Sequence, residues 1–510
     1  MKKWFKNICV AVAALVLPST IATTTSVHAV EFGVGPAPVQ QFQQLTNHQQ
    51  FARQQLTATI KLYDDHLRVK ATGQYLDKID TNNIRQDSQV SSIASTGIGL
   101  ISLTIGDQLG VIDNAAEKAH FTLINLLNTD PEAVFRTPRS KSGWYKHFIN
   151  AHTGEARNAS KDVFSTIDTA ILGVGASMVA RYFDTKVLND PMAARAVALA
   201  NELVESINWA QSIRFTPRAG MHQVFRGPDE MIENRFWSLP FDEYVVLPCI
   251  GRAVEVAQGR RGAASILWDQ YFSDINALPQ AQFGDLSLLS VNGKNFTSHF
   301  THQFGFYFCG ELANDPVYKA ELNELRQADM KWFEQAGKGS FPKHWWGLGA
   351  GSEIKFDQET GKIKYSGYGV ARIGRNPNLT FSPAIMAGFL PVENSAAPSN
   401  GTSGSSPLIP VKSEQGSRNG HSDIIADLIK LHNRDECRYD FAGLDFLWRC
   451  TARDTSLRVR HIEGVDLSTY MLGLAWFDPA VGKEFFDDFG VKSRPSYSEA
   501  RELRTELFNR

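Results

Sequence analysis

The chain has 510 residues, with 52 Lys and Arg against 54 Asp and Glu and a formal net charge of −2. That balance lacks the basic excess with which proteins hold a phosphate backbone, so no nucleic-acid partner is expected. The length suits two or three ordinary domains, or one helical barrel that absorbs it all.

Residues 1–29 read as a secretory signal: Lys2, Lys3 and Lys6 precede an apolar run from Ile8 to Leu17, and Val27-His28-Ala29 offers small residues for cleavage. Its removal takes three of the 52 basic residues and none of the 54 acidic ones, leaving a charge of −5. The run is shorter than the roughly 20 residues that span a bilayer, and no later segment is long and apolar enough. The mature protein, residues 30–510, is therefore expected as a soluble monomer, periplasmic or secreted.

Helical periodicity dominates the mature chain. Candidate helices run from Asn47 to Thr72, Ser91 to Leu109, Asn114 to Leu127, Ser160 to Phe183, Asp190 to Ile207, Phe241 to Gln258 and Ala263 to Ser273. Later ones cover Thr297 to Glu311, Pro316 to Gln335, Ser382 to Gly388, Ser422 to His432 and Val465 to Phe477. Several are apolar on more than one side, with small residues such as Gly173, Gly175 and Ala176 where helices could cross. About twelve helices in antiparallel succession is the count of an (α/α)6 barrel, so the expected fold is all-α with at most one small β-hairpin. That hairpin falls in Gly347 to Gly369, around an Asp357–Lys362 turn.

Four long loops, Ser140 to Ala156, Arg214 to Pro240, Gly337 to Arg375 and Cys437 to His461, are rich in Gly and aromatic residues and are expected at one barrel mouth. Residues 395–420 are dominated by Ser, Gly, Asn and Pro and read as a flexible insertion. Beyond Cys9 in the signal, Cys437 and Cys450 are close enough to bridge across a turn. Cys249 and Cys309, in apolar helical contexts, read as free core thiols. No pair has zinc-ligand spacing, and neither a metal nor a cofactor is expected.

Two acids sit where surface acids do not belong. From Glu243, Leu247, Ile250 and Val254 follow at helical spacing; from Asp168, Ile171, Leu172, Gly175 and Val179 do so. Pro248 should kink the helix after Glu243. Each acid also has a plainer reading. Ser165-Thr166-Ile167-Asp168 matches a capping box, and Glu243 after Pro240 could serve the helix dipole, unless Asp242 takes that part. Asp466, opening the last strong helix, reads alone as a cap. His299 and His302 share a helix face but have no third metal ligand, and suit hydrogen bonding to a sugar or within the core. Trp345 and Trp346 lie in a Gly-flanked loop as core anchors or a stacking platform, with Trp144, Tyr145, Trp237 and Tyr368 as further candidates.

Separated stretches together resemble the bacterial glucoamylase-like family of (α/α)6-barrel glycoside hydrolases, which are related to the endo-β-1,2-glucanases. They are Ala94–Leu100, Ser165–Ala170, Asp242-Glu243-Tyr244, Phe300–Phe304, Trp346–Ala350, Phe381–Ala384 and Glu463–Asp466. The resemblance implies that Glu243 is the general acid, Asp168 lies in the central subsite and Asp466 is a candidate base, with His302, Gln303 and Trp346 along the glycan cleft. The chain departs from the family where Asp242 replaces an Asn, where no Gln-Gly follows Asp466, and where Ser165 stands in place of an acid.

Two carboxyls on separate elements, one protonated and one ionised, are what glycoside hydrolysis requires. The expectation is a metal-independent hydrolase of a glucan-type poly- or oligosaccharide, with a β-1,2-linked glucan as a candidate. The rivals are a catalytically silent glycan-binding envelope protein and a polysaccharide lyase on a similar barrel.

Overall fold

The computed structural model describes residues 45–82, 89–128, 131, 133–157, 163–215, 219–227, 229–232, 236–238, 241–356, 360, 363–393 and 423–492. The expected signal, the 395–420 insertion and most of the Asp357–Lys362 turn lie outside them. The described helices are α1 (Asn47–Lys61), α2 (Ile93–Gln108), α3 (Ala115–Leu127), α4 (Thr166–Asp184), α5 (Pro191–Glu205), α6 (Val246–Ala257) and α7 (Ala263–Tyr271). They continue with α8 (His299–Phe308), α9 (Gly310–Asn314), α10 (Pro316–Ala336), α11 (Pro383–Gly388), α12 (Asp423–Asn433), α13 (Gly464–Phe477) and α14 (Gly482–Phe489).

Contacts sort them into two layers. α2 packs on α4, α4 on α6, α6 on α8, α8 on α11, α11 on α13 and α13 back on α2, which closes an inner ring of six. Outside it, α1 lies on α13 and α2, α3 on α2, α5 on α4, α7 on α6, α10 on α8 and α12 on α11. This is an (α/α)6 barrel. The sequence encodes the layers by burial: α2 is buried continuously from Ile93 to Gly106, whereas α5 buries Ala193, Ala196, Val197, Ala200, Leu203 and Val204, a single stripe.

Inner helices touch closely because small residues allow it. A Cβ on Gly97 of α2 would lie 2.5 Å from the Ile171 carbonyl oxygen of α4, and one on Gly175 would lie 2.1 Å from the Gly97 carbonyl oxygen. Backbone cannot yield as a side chain tip can, so either Ala substitution would force the helices apart, at about 1–3 kcal/mol or more.

One end of the ring is closed. α14, absent from the expected elements, packs on α13 and α4. Its Phe485 and Phe489 meet Tyr182 near the end of α4, and its Phe486 meets Tyr307 and Trp476 near the ends of α8 and α13. All lie toward the C-terminal ends of inner helices, which leaves the N-terminal ends as the mouth. The four long loops each run from an outer helix to the start of the next inner one, and so belong to that mouth.

Short strands tie the mouth together. Lys78–Asp80 pairs with His461–Glu463, Val90–Ser92 with Phe148–Asn150, and Tyr145–Lys146 with Val163–Ser165, all antiparallel. The expected hairpin is present as Ala350–Phe356 paired with Ile363–Val370, but the expectation of at most one is corrected: Gln280–Phe283 pairs with Leu286–Leu289 and Arg438–Phe441 with Leu444–Leu447 as further hairpins.

Two further expectations are corrected here. Cys249 and Cys309 are bonded to each other, with Cα atoms 6.0 Å apart, because the start of α9 brings Cys309 against α6. Closing a 60-residue loop stabilises the fold by about 4 kcal/mol in a chain-entropy treatment. Cys437 and Cys450 are bonded as well. Pro248 does not fall in an α-helix interior: the Phe241–Gln258 segment begins as a 3-10 turn, Glu243–Val245, and Pro248 lies in the first turn of α6, just past the change from 3-10 to α geometry.

Candidate active site

Six inner helices begin around the mouth, and each start leaves backbone N–H groups without intrahelical partners. The chain answers with acids. Glu463 is the N-cap of α13 and Asp466 lies in its first turn; Ser165 caps α4 with Asp168 in its first turn; Asp242 caps the turn beginning at Glu243. A helix N-terminus favours such a charge by about 0.3–1 kcal/mol, less than the cost of enclosing a carboxylate away from water.

The capping box read at Ser165–Asp168 forms in part, with Ser165 as the N-cap but the Asp168 carboxyl on the Ser165 hydroxyl and not on its backbone N–H. The Asp168 N–H donates to Ser165 Oγ at 3.3 Å, and the Ser165 hydroxyl donates back to Asp168 Oδ2. His147 Nε2 lies 3.5 Å from the other oxygen. Asp242 takes the capping role, accepting the Glu243 N–H and leaving the Glu243 carboxyl free of it.

Asp168 and Asp466 both act on Glu243. Burial pushes Glu243 well above the ordinary carboxyl range, and the charges of Asp242, Asp168 and Asp466 push it further. Burial also raises Asp242 to about 6, against the pull of the Glu243 N–H. Asp466 is raised to about 7, by burial first and Glu463 second, with Arg449 and the Tyr368 hydroxyl opposing. That hydroxyl donates to Asp466 Oδ1 at 3.0 Å. Exposure grades outward, from 5% at Asp466 and 8% at Asp168 to 54% at Tyr368. Glu243 is enclosed by protein yet keeps part of its surface accessible.

Further residues belong to this mouth that sequence reasoning missed. Asp77 precedes the strand that pairs with His461–Glu463, and its carbonyl accepts the Gly464 N–H at 2.9 Å. Burial raises its carboxyl, and the charge of Asp168 adds to the shift. His147 lies between two strands whose partners, Val90–Ser92 and Val163–Ser165, lead into α2 and α4. Arg449, fully buried, donates to the carbonyls of Ala350 and Ser352, and Glu463 accepts the Ser352 N–H at 3.1 Å. No local pattern marks them, because strand pairing between distant segments delivers them.

Most of the expected sugar contacts are corrected. Trp346 is 1% exposed, and Trp144 is fully buried with Nε1 donating to Gln211 Oε1 at 2.8 Å. Tyr145 is buried with its hydroxyl on the Leu126 carbonyl. Trp345 is partly buried, stacked on Phe381, and donates to Glu436 Oε2 at 2.8 Å. His302 is 1% exposed, its Nδ1 3.3 Å from the Thr297 and Thr301 hydroxyls, and burial lowers it to about 3. Gln303 is fully buried and donates to the Ile385 carbonyl at 2.8 Å. The cause at Trp346 is Asp329 of α10, which accepts the N–H groups of Gly347 and Leu348 at 3.1 and 2.8 Å and draws the loop inward. Tyr368 alone of the expected aromatic set is both exposed and in contact with one of the three acids; the Trp237 side chain lies outside the described residues.

No family model matches the sequence, and no curated protein matches it. Solved structures do. An endo-β-1,2-glucanase from Chitinophaga pinensis, in complex with sophorotriose and glucose, superposes with a TM-score of 0.62 at 13% identity, covering 87% of this chain and 95% of that one. A putative glucoamylase from Bacteroides caccae gives 0.64 at 13% identity, covering 86% and 95%. A mutant endo-β-1,2-glucanase from Talaromyces funiculosus, in complex with β-1,2-glucan, gives 0.54 at 11% identity, covering 91% and 88%. At such identities the likeness speaks for architecture, and the chain has the (α/α)6-barrel fold of these glucoamylase-like proteins and endo-β-1,2-glucanases.

Proposed function

We propose that this protein is a glycoside hydrolase acting on a neutral glucan, with β-1,2-glucan the first candidate, by carboxyl acid/base catalysis at the barrel mouth. The observation that carries the reading is Glu243: it is enclosed by protein and faced by Asp242, Asp168 and Asp466, and burial and these neighbours push its carboxyl well above the ordinary range, toward the protonated form a general acid needs. Glu243 protonates the departing glycosidic oxygen. Asp466, ionised above about pH 7, accepts a proton from water, and Asp168 with its Ser165 partner holds the sugar between them. The fold shared with β-1,2-glucanases supports the substrate class.

The crowding of Asp77, Asp168, Asp242, Glu243, Glu463 and Asp466 around one opening speaks against the lyase alternative, because a uronan would bring more negative charge to an acidic mouth. Two cystine bridges suit the oxidising compartment of an exported protein. The test measures reducing ends and unsaturated products from a panel of glucans and uronans. The reading predicts reducing ends from a glucan and their loss in Glu243→Gln. Full activity in that variant removes the mechanism, and no product from any glycan favours a binding protein.

A further inference from the structure

Nine large apolar side chains are exposed among the described residues, and four of them, Ile363, Tyr365, Tyr368 and Val370, lie on the single strand Ile363–Val370. Scattered singly they would need no explanation; concentrated on one strand they mark a surface that binds something.

Strand geometry places all four on one side. Successive side chains alternate, so Ile363 and Tyr365 share a face while Tyr368 and Val370 would fall on the other. The register, however, passes from Glu353 opposite Ser366 directly to Ser352 opposite Tyr368, leaving Gly367 as an extra, bulged residue. A one-residue bulge reverses the alternation and returns Tyr368 and Val370 to the face of Tyr365. Tyr368 also shows which way that face looks, since its hydroxyl reaches Asp466 inside the mouth. The face runs over six ladder steps, about 20 Å at 3.4 Å per residue.

Its chemistry is specific. The cross-strand partners on that side are Phe356, Ile354, Ser352 and Ala350, of which Ile354, Ser352 and Ala350 are buried, so the accessible part is the row Ile363, Tyr365, Tyr368 and Val370; Lys355 and Lys364 pair on the opposite face, and Arg453 lies over the Phe356 ring at the far end. A pyranose ring has flat C–H faces and a rim of hydroxyls, and tyrosine answers both with an apolar ring and a hydroxyl at little entropic cost. We infer that this hairpin face is a platform for an extended neutral glucan chain, holding sugar units beyond those at the acids. This rests on the hydrolase reading for its ligand class. It commits to a glycan rather than a second protein copy because the face is continuous with the acid-lined mouth.

The test compares wild type, Tyr365→Ser and the double variant Ile363→Ser/Tyr365→Ser. Affinity electrophoresis through gels holding each glucan of the panel measures binding, kcat/KM on polymer against trisaccharide measures its use, and light scattering measures mass. The platform predicts about tenfold weaker retardation of the double variant and about a tenfold fall in the polymer-to-trisaccharide ratio, with Tyr365→Ser showing a smaller change in the same direction. Unchanged ratio and retardation, failure of wild type to bind any glucan, or a change of mass from dimer to monomer would each overturn it. The two readings separate cleanly: Glu243→Gln should still be retarded by the polymer if the platform exists, whether or not wild type cleaves it.

Discussion

Asp329 and Glu243 are both carboxyls enclosed by protein, and their surroundings treat them in opposite ways. Around Asp329 stand the N–H groups of Gly347 and Leu348 and the ring of His299, whose Nε2 lies 3.1 Å away; all of these can stabilise its charge. Around Glu243 stand Asp242, Asp168 and Asp466, which all oppose it. Burial alone therefore does not separate a working acid from a structural one. What separates them is whether the neighbours satisfy the charge: Asp329 fastens a loop to the outer helix α10, and Glu243 is held short of a stable state that a substrate can relieve.

Replacing each acid in turn should sharpen the contrast. Glu243→Gln is expected to lower kcat by about 10²–10⁴-fold with no loss of thermal stability, read from initial rates and a melting curve; a large fall in stability would make it structural after all. Asp329→Ala should do the reverse in kind. It strands His299 and two amides, so chemical denaturation should show a loss of about 3–5 kcal/mol, and a variant as stable as wild type would break the comparison.

Asp466 belongs with Glu243. Its folded carboxyl titrates at about 7, above the ordinary unfolded value of about 3.9. The native state thus holds an extra proton between these values, and its stability falls as pH rises through that window. Asp466→Asn removes the penalty, so the variant should be more stable than wild type at pH 8 by up to about 4 kcal/mol, with the gain fading toward pH 4. A gain independent of pH would point to packing instead. The smallest effect is expected of Tyr368→Phe. Losing the hydroxyl that favours the Asp466 carboxylate should move the acid limb of kcat/KM, expected near pH 7 in wild type if Asp466 is the base, to higher pH. A limb that stays in place would detach Tyr368 from that acid.

The barrel was readable because each helix carries its own evidence: α5 shows one buried stripe and α2 no charged residue before Asp107, and twelve such segments in succession leave few alternatives. Glu243, Asp168 and Asp466 were noticeable as acids among apolar neighbours. The aromatic wall was misjudged because Trp346 next to Gly347 looks the same whether its loop faces solvent or is pulled inward, and the residue that decides, Asp329, lies 18 positions away from Gly347. Asp77 adjoins, and Glu463 ends, a strand pair joining opposite ends of the sequence, Lys78 opposite Glu463, so no window could link them. Cys249 and Cys309 meet for the same reason, through the closure of the helical ring.

The protonation state of Glu243 itself is the most direct test. An infrared difference spectrum of wild type against Glu243→Gln, followed through pH, should show a protonated carboxyl band that persists through pH 7. A band already replaced by that of an ionised carboxylate at pH 5 would contradict the account, because a Glu243 without its proton cannot assist a departing sugar.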